Sequence, residues 1–213
     1  MVRNRPAKNG KGDVMSVQDS AVSTANVRPY IVGLGGTARP NSSSERALRY
    51  ALQAAEALGA RTEIFVGAAL DLPMYNPENT ERSENARVLI NALRRADGIV
   101  LASPGYHGSL SGMVKNALDY VEDMRGDEKV YFQDRPVACI VTAAGWQTVG
   151  STLGALRAIV HALRGWPTPL GVGINSLETN PAAAESALDI LAREVVGFAS
   201  KHGGACVAAA KAA

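Results

Sequence analysis

Six polar side chains crowd the stretch GGTARPNSSS: Thr37, Arg39, Asn41, Ser42, Ser43 and Ser44. A helix that starts at the serines adds unpaired N–H groups and the positive end of its dipole. Hydroxyls, an amide and a guanidinium around such a terminus suit a phosphate monoester. The plainer role is a helix cap, for which one serine suffices; three serines beside Arg, Thr and Asn favour phosphate. No lysine follows in the G-x-x-x-x-G-K-[ST] arrangement, so the loop is not a P-loop. Gly33–Ala38 does spell G-x-G-x-x-A. Arg39-Pro40 interrupts the helix that should open there, and the ribose acid expected after the second strand is missing from FVGAALD, where Asp71 comes only in the following loop.

A second run, Ala102 to Asp123, reads ASPGYHGSLSGMVKNALDYVED. Pro104-Gly105 is expected to make a sharp turn, with Tyr106, His107 and Gly108 as an exposed rim. Gly105 would then bring bare backbone against a flat ring, at a φ that only glycine visits freely. Ser109 or Ser111 can cap the next helix. An ordinary tight turn explains the same residues as simply. A nucleophile elbow is excluded, because Leu110 holds the serine position in Gly108–Gly112. The histidines 107, 161 and 202 are too far apart in sequence to suggest a metal site. A third glycine loop follows at Ala144-Gly145.

These loops need a scaffold. Short apolar runs at Pro29–Gly35, Arg61–Val66, Gly98–Ala102, Pro136–Ala143 and Leu170–Ile174 read as strands. Helical spacing marks Ser42–Gly59, Glu81–Arg95, Ser111–Glu122, Gly150–Leu163 and Pro181–Lys201. Alternating strands and helices imply a three-layer α/β fold, a parallel sheet with helices on both faces. Five strands fit the flavodoxin-like order 2-1-3-4-5, with the ligand at the carboxyl ends of the strands. The polar loops fall after strands one, three and four.

The chain has 213 residues, 46% of them hydrophobic, enough for one domain with a sizeable core. Its net charge of +2 gives no electrostatic reason to expect nucleic acid or a membrane surface. Residues 1–27 lack apolar periodicity and are expected to be a disordered tail without a secretory signal; Met15 is an alternative start. Gly203-Gly204 is expected to end the last helix, leaving 203–213 as a second tail and 28–202 as the domain. Cys139 and Cys206 are expected as reduced thiols, which suits a cytoplasmic protein.

The two polar runs together resemble the NADPH-dependent FMN reductases, whose common forms are G-S-x-R-x-x-S and S-P-x-Y-[NH]-[GS]-S-x-x-G-x-x-K-N-A-x-D. Asp71–Asn76 is similar to that family's L-P-x-[YF]-[ND] segment, and the resemblance spans roughly Tyr30 to Asn175. It implies FMN, with its phosphate at Thr37, Arg39, Ser42 and Ser44 in the loop that also holds Asn41 and Ser43. It places the isoalloxazine ring against Pro104, Gly105, Tyr106, His107 and Gly108. Backbone N–H groups at Ala144 and Gly145 would face the pyrimidine end. Trp146-Gln147 departs from the usual glycine pair; the indole would stack at the cofactor rim, plug a subunit interface or pack half-buried on a neighbouring loop. The implied reaction is hydride transfer from nicotinamide C4 of NADPH or NADH to flavin N5, then ping-pong reduction of free flavin, a quinone, an azo compound, chromate or dioxygen. A flavin-using monooxygenase receiving reduced FMN is an implied partner. A homodimer or homotetramer is also implied, with Met124–Asp134, carrying Tyr131 and Phe132, as a contact. Lys115 and Asn116 would either position this loop or a neighbouring subunit or lie on a solvated helix face, the simpler reading for Lys115; the charge run from Asp119 to Asp127 reads most simply as a solvated helix end and loop.

Two rivals stand beside this: a flavodoxin-type electron carrier, disfavoured by the slightly basic charge, and an NAD(P)-binding enzyme without flavin.

Overall fold

The computed structural model describes residues 28–178 and 180–202. The expected tails at 1–27 and 203–213, Met15 and Cys206 lie outside the described residues.

Within the domain, strands β1 (Tyr30–Gly35), β2 (Arg61–Phe65), β3 (Gly98–Tyr106), β4 (Ser109–Leu110), β5 (Pro136–Ala143), β6 (Trp166–Pro167) and β7 (Val172–Asn175) alternate with helices. The helices are α1 (Ser43–Ala57), α2 (Glu84–Arg95), α3 (Gly112–Asp119), α4 (Trp146–Ala162) and α5 (Pro181–His202). The sheet runs β2-β1-β3-β5 and ends in an edge shared by β6 and β7, all parallel. Side-chain parity sorts the layers. Val32, Leu34, Ile99, Leu101, Val137, Cys139 and Val141 pack under α2, α3 and α4. Their neighbours Ile31, Val100, Ala102, Ala138 and Ile140 pack under α1 and α5. Both faces are covered, which is why these strands are continuous apolar runs.

The expected five positions hold, but six strands occupy them and a seventh lies off that path. Trp166-Pro167-Thr168-Pro169 places two residues without N–H groups on the edge, so that edge is divided between β6 and β7. The other addition, β4, is antiparallel to the end of β3.

Serines set three helix starts. Ser42, Ser83 and Ser111 accept from the backbone N–H groups of Glu45, Ala86 and Val114. Of the two serines considered for α3, Ser111 is therefore the cap. That helix is shorter than expected, giving way to a 3₁₀ segment at Tyr120–Met124. In the proposed subunit contact, Phe132 is fully buried in the core and Tyr131 donates its hydroxyl to Glu122. Phe132 therefore cannot serve as a contact residue in this conformation.

Candidate functional site

The three polar loops meet at the carboxyl ends of β1, β3 and β5. Gly35 makes the first approach possible: with φ 155° it lies so close to β3 that a Cβ would overlap the Ala102 carbonyl oxygen. Gly36, at φ 93°, donates its N–H to the same oxygen at 3.0 Å. The loop then turns on Thr37, whose Oγ1 accepts the Arg39 N–H at 3.0 Å. Asn41 is left-handed, with φ 53°. Ser42 caps α1 and its Oγ lies 3.3 Å from that of Ser44, both residues buried. Ser42 thus does perform the plainer capping role. Thr37 and Ser43 are half-buried, Arg39 and Asn41 exposed. The Arg39 guanidinium makes no hydrogen bond or ion pair among the described residues, so it is available to a ligand.

At the second loop the expected turn moves. Pro104, Gly105 and Tyr106 are the end of β3, and the reversal is at His107 (φ 50°) and Gly108 (φ 86°). Two left-handed residues are what a tight two-residue hairpin requires. Tyr106 pairs with Ser109 and Gly105 with Leu110. The β1 ladder stops at Ala102, so β3 continues with a free side, where a proline is tolerated. Gly105 therefore needs neither positive φ nor an open turn. A Cβ there would lie 2.6 Å from Thr148 Cγ2, 3.0 Å from Thr152 Oγ1 and 3.1 Å from Ala143 Cβ. Close packing of α4 explains this glycine. The Thr152 hydroxyl beside it is buried with no hydrogen-bond partner among the described residues.

The third loop is short. Ala144 is exposed, and Gly145, at φ 136°, precedes an α4 that starts four residues earlier than Gly150, the expected start, and has no side-chain cap. Trp146 opens that helix, exposed, and donates its Nε1–H to Glu178 at 2.7 Å. It is a rim residue tied to the next loop, rather than half-buried packing.

Two side chains support the site; for the first a positioning role was one of the two readings open in the sequence, and the second was missed. Asn116 is buried on α3: it accepts from Tyr75 N at 2.8 Å and donates to Leu72 O at 3.2 Å and Pro73 O at 3.0 Å. It fixes the loop after β2, while Lys115 is the expected surface residue, paired with Asp119. Asp123 is likewise not merely solvated, because Arg82 grips both of its oxygens and lies over the rings of Tyr75 and Tyr120. The second support is Glu45, in the first turn of α1, where an acid normally signals only a helix start.

A cleft of about 460 Å³ lies at the opposite end of the sheet from the site, lined by Arg28, Glu56, Ala60, Arg61 and Thr62. Burial pushes the Cys139 thiol up to about 12, which removes it as a nucleophile near neutral pH. Among the described residues no three His, Cys, Asp or Glu side chains form a metal-binding group, and no helix is long and apolar enough to cross a membrane.

Comparison with known proteins places these loops in context. The sequence model of a family described as NADPH-dependent FMN reductase matches residues 29–177. An NADPH azoreductase from Bacillus sp. (strain OY1-2) is 31% identical over 116 residues, 54% of this chain and 62% of the relative. An FMN-dependent NADPH-azoreductase from Staphylococcus aureus is 32% identical over 139 residues, 63% of this chain and 70% of the relative. In fold, the chain is similar to a flavodoxin, a WrbA-like protein from Agrobacterium tumefaciens. The TM-score is 0.59 at 20% identity, covering 82% of this chain and 99% of that one.

Proposed function

The chain belongs to the NADPH-dependent FMN reductase family, and from that premise we propose that it is an FMN-carrying oxidoreductase drawing electrons from NADPH or NADH. The observation that supports this best is the convergence of three loops of complementary chemistry on one edge of the sheet. The donor set fits FMN. At one end the N-terminus of α1 is surrounded by Thr37, Ser43 and the unengaged cation Arg39, with Asn41, Ser42 and Ser44 shaping the loop. These groups would hold the phosphate. At the other end Pro104 to Gly108 form a hairpin edge, and Ala144 and Gly145 lead into uncapped N–H groups of α4. They would face the ring, and the donors would stabilise negative charge at its pyrimidine end. When bound, FMN would supply the redox chemistry, namely hydride acceptance at N5 from nicotinamide C4 and electron delivery to a second acceptor.

What the protein contributes is binding, orientation and access, and no side chain is assigned a proton-transfer role. Tyr106 and His107 are exposed at the rim, leaving a side on which donor and acceptor succeed one another, hence ping-pong kinetics. The two azoreductase relatives favour an azo compound as acceptor; quinones, free flavin, chromate and dioxygen fit the same open face. A monooxygenase that takes up reduced FMN, a homodimeric or homotetrameric state and a cytoplasmic location complete the proposal.

The purified chain should be yellow and should bleach when NADPH is added without acceptor, recovering on addition of an azo dye or a quinone. A yellow chain inert to both nicotinamides would instead be an electron carrier. A colourless chain that also fails to take up FMN would overturn the proposal.

A further inference from the structure

A buried carboxylate in the first turn of α1 reaches back to the loop that should receive a dianion. Glu45 is 5% exposed, and its Oε2 accepts the Asn41 N–H at 2.9 Å. The same loop residue is held from the other side, because Arg46 Nη1 donates to Asn41 O at 2.6 Å. Asn41 is thus fixed at both its N–H and its carbonyl, in the left-handed conformation that non-glycine residues seldom keep unaided. Glu45 also packs where the loop starts: a Cβ on Gly36 would lie 3.6 Å from the Glu45 Cβ. The loop is therefore shaped by an acid whose charge opposes the ligand. The other oxygen of that acid, Oε1, is taken by Arg49, whose Nε and Nη2 donate at 2.9 and 2.8 Å. Arg49 is one turn further along α1, with 46% of its side chain exposed.

We infer that Glu45 is a positioning residue for the phosphate loop, and that Arg49 raises phosphate affinity without touching phosphate, by cancelling the Glu45 charge. This rests on the FMN-binding proposal above. An isolated exposed ion pair contributes little to stability. A buried carboxylate stripped of its partner is different, since its field acts through low-dielectric surroundings on any anion nearby.

The test is a thermodynamic cycle read by binding alone. Dissociation constants of FMN and riboflavin are measured by flavin fluorescence for the parent protein, Arg49→Met, Glu45→Gln and the double variant. Riboflavin lacks the phosphate, so the ratio of its dissociation constant to that of FMN isolates the phosphate contribution and cancels general damage to the fold. Arg49→Met should lower that ratio about tenfold. Glu45→Gln keeps an acceptor for Asn41 and should change the ratio less than threefold. Adding it to Arg49→Met should restore the ratio to within about threefold of the parent. An unchanged ratio in Arg49→Met would overturn the inference. So would a loss that Glu45→Gln does not repair, because Arg49 would then act on the phosphate itself. A parent protein that binds the two flavins equally would refute phosphate recognition in this loop as a whole, a failure distinct from either.

Discussion

Arg39 is an exposed cation on a loop of neutral donors, and its role is decided by comparing ligands. Arg39→Ala should weaken FMN roughly 10–100-fold, the scale of a hydrogen bond to a charged group, and leave riboflavin nearly unchanged. Equal losses, measured by flavin fluorescence, would remove it from the phosphate site. Gly105 and Gly108 separate two reasons for glycine. Gly105→Val drives a branched side chain into Thr148 and Thr152, so it should cost about 1–3 kcal/mol and loosen α4. Gly108→Ala has room, with Ser151 Oγ 3.7 Å away, but must keep φ 86°, costing about 1–2 kcal/mol through the backbone alone. Thermal melts should show both losses. Only Gly105→Val should also alter the fluorescence of Trp146, at the start of α4. A Gly105→Val protein as stable as the parent would contradict the packing described here. The hydroxyls and Arg39 were legible as one polar cluster because their types lie together in sequence. Glu45 was not, since an acid in the first helical turn has an ordinary explanation and only the folded loop shows it reaching back to Asn41.

Among the elements, the strands and helices were legible wherever apolar periodicity was unbroken, and several boundaries were not, among them the expected starts of α2 at Glu81 and of α4 at Gly150 and the expected end of α3 at Glu122. Pro104-Gly105 has turn composition, yet β3 runs through it beside β5, because the β1 ladder has ended and the proline has no β1 partner to fail. Gly145-Trp146 carries no capping side chain, so nothing in the sequence announces the first turn of α4. The strand expected at Leu170–Ile174 is β7, but β6, separated from it by Pro167 and Pro169, was not read. Asn116, hidden in a polar helix, ties α3 to the loop after β2. Asn116→Ala should lower stability by about 1–3 kcal/mol in urea unfolding, because it strands buried backbone groups. It should also speed hydrogen exchange at the Tyr75 amide, which bonds to it. Unchanged exchange there would show that the loop holds itself. The core of β5 gives a pH dependence. In the fold the Cys139 thiol keeps its proton up to about 12, against an ordinary 9.0. The unfolded chain therefore loses its proton first. The stability this contributes is complete below about pH 9 and is lost as pH rises from there toward 12. Cys139→Ala should flatten that alkaline fall, measured by urea unfolding from pH 8 upward; an equally steep fall would assign it elsewhere.

For the whole molecule, the site and the opposite end of the sheet each carry an exposed tryptophan. Trp166 pairs with Pro136 at the start of β5, and Trp146 follows its end, so about 25 Å of strand separates their levels. FMN should quench Trp146 strongly in a Trp166→Phe protein and Trp166 weakly in a Trp146→Phe protein; the reverse order would put the flavin at the wrong end. Assembly belongs to the same scale. Met74, Tyr106, Trp146 and Leu177 are large exposed apolar side chains on segments following β2, at the end of β3 and following β5 and β7. A homo-oligomer that covers them should appear as a dimeric or tetrameric mass in light scattering at micromolar concentration, and a monomer would remove that idea. The divided edge strand bears on a different kind of assembly. A sheet with strands this rich in Val, Ile and Leu would template end-on addition of further strands if its last member offered an unbroken row of amides. Pro167 and Pro169 leave gaps in that row, so at this edge, opposite the one formed by β2, a partly opened molecule offers no continuous seam to recruit its neighbours. The proline break that precedes β7 thereby guards this edge against fibre growth at high concentration.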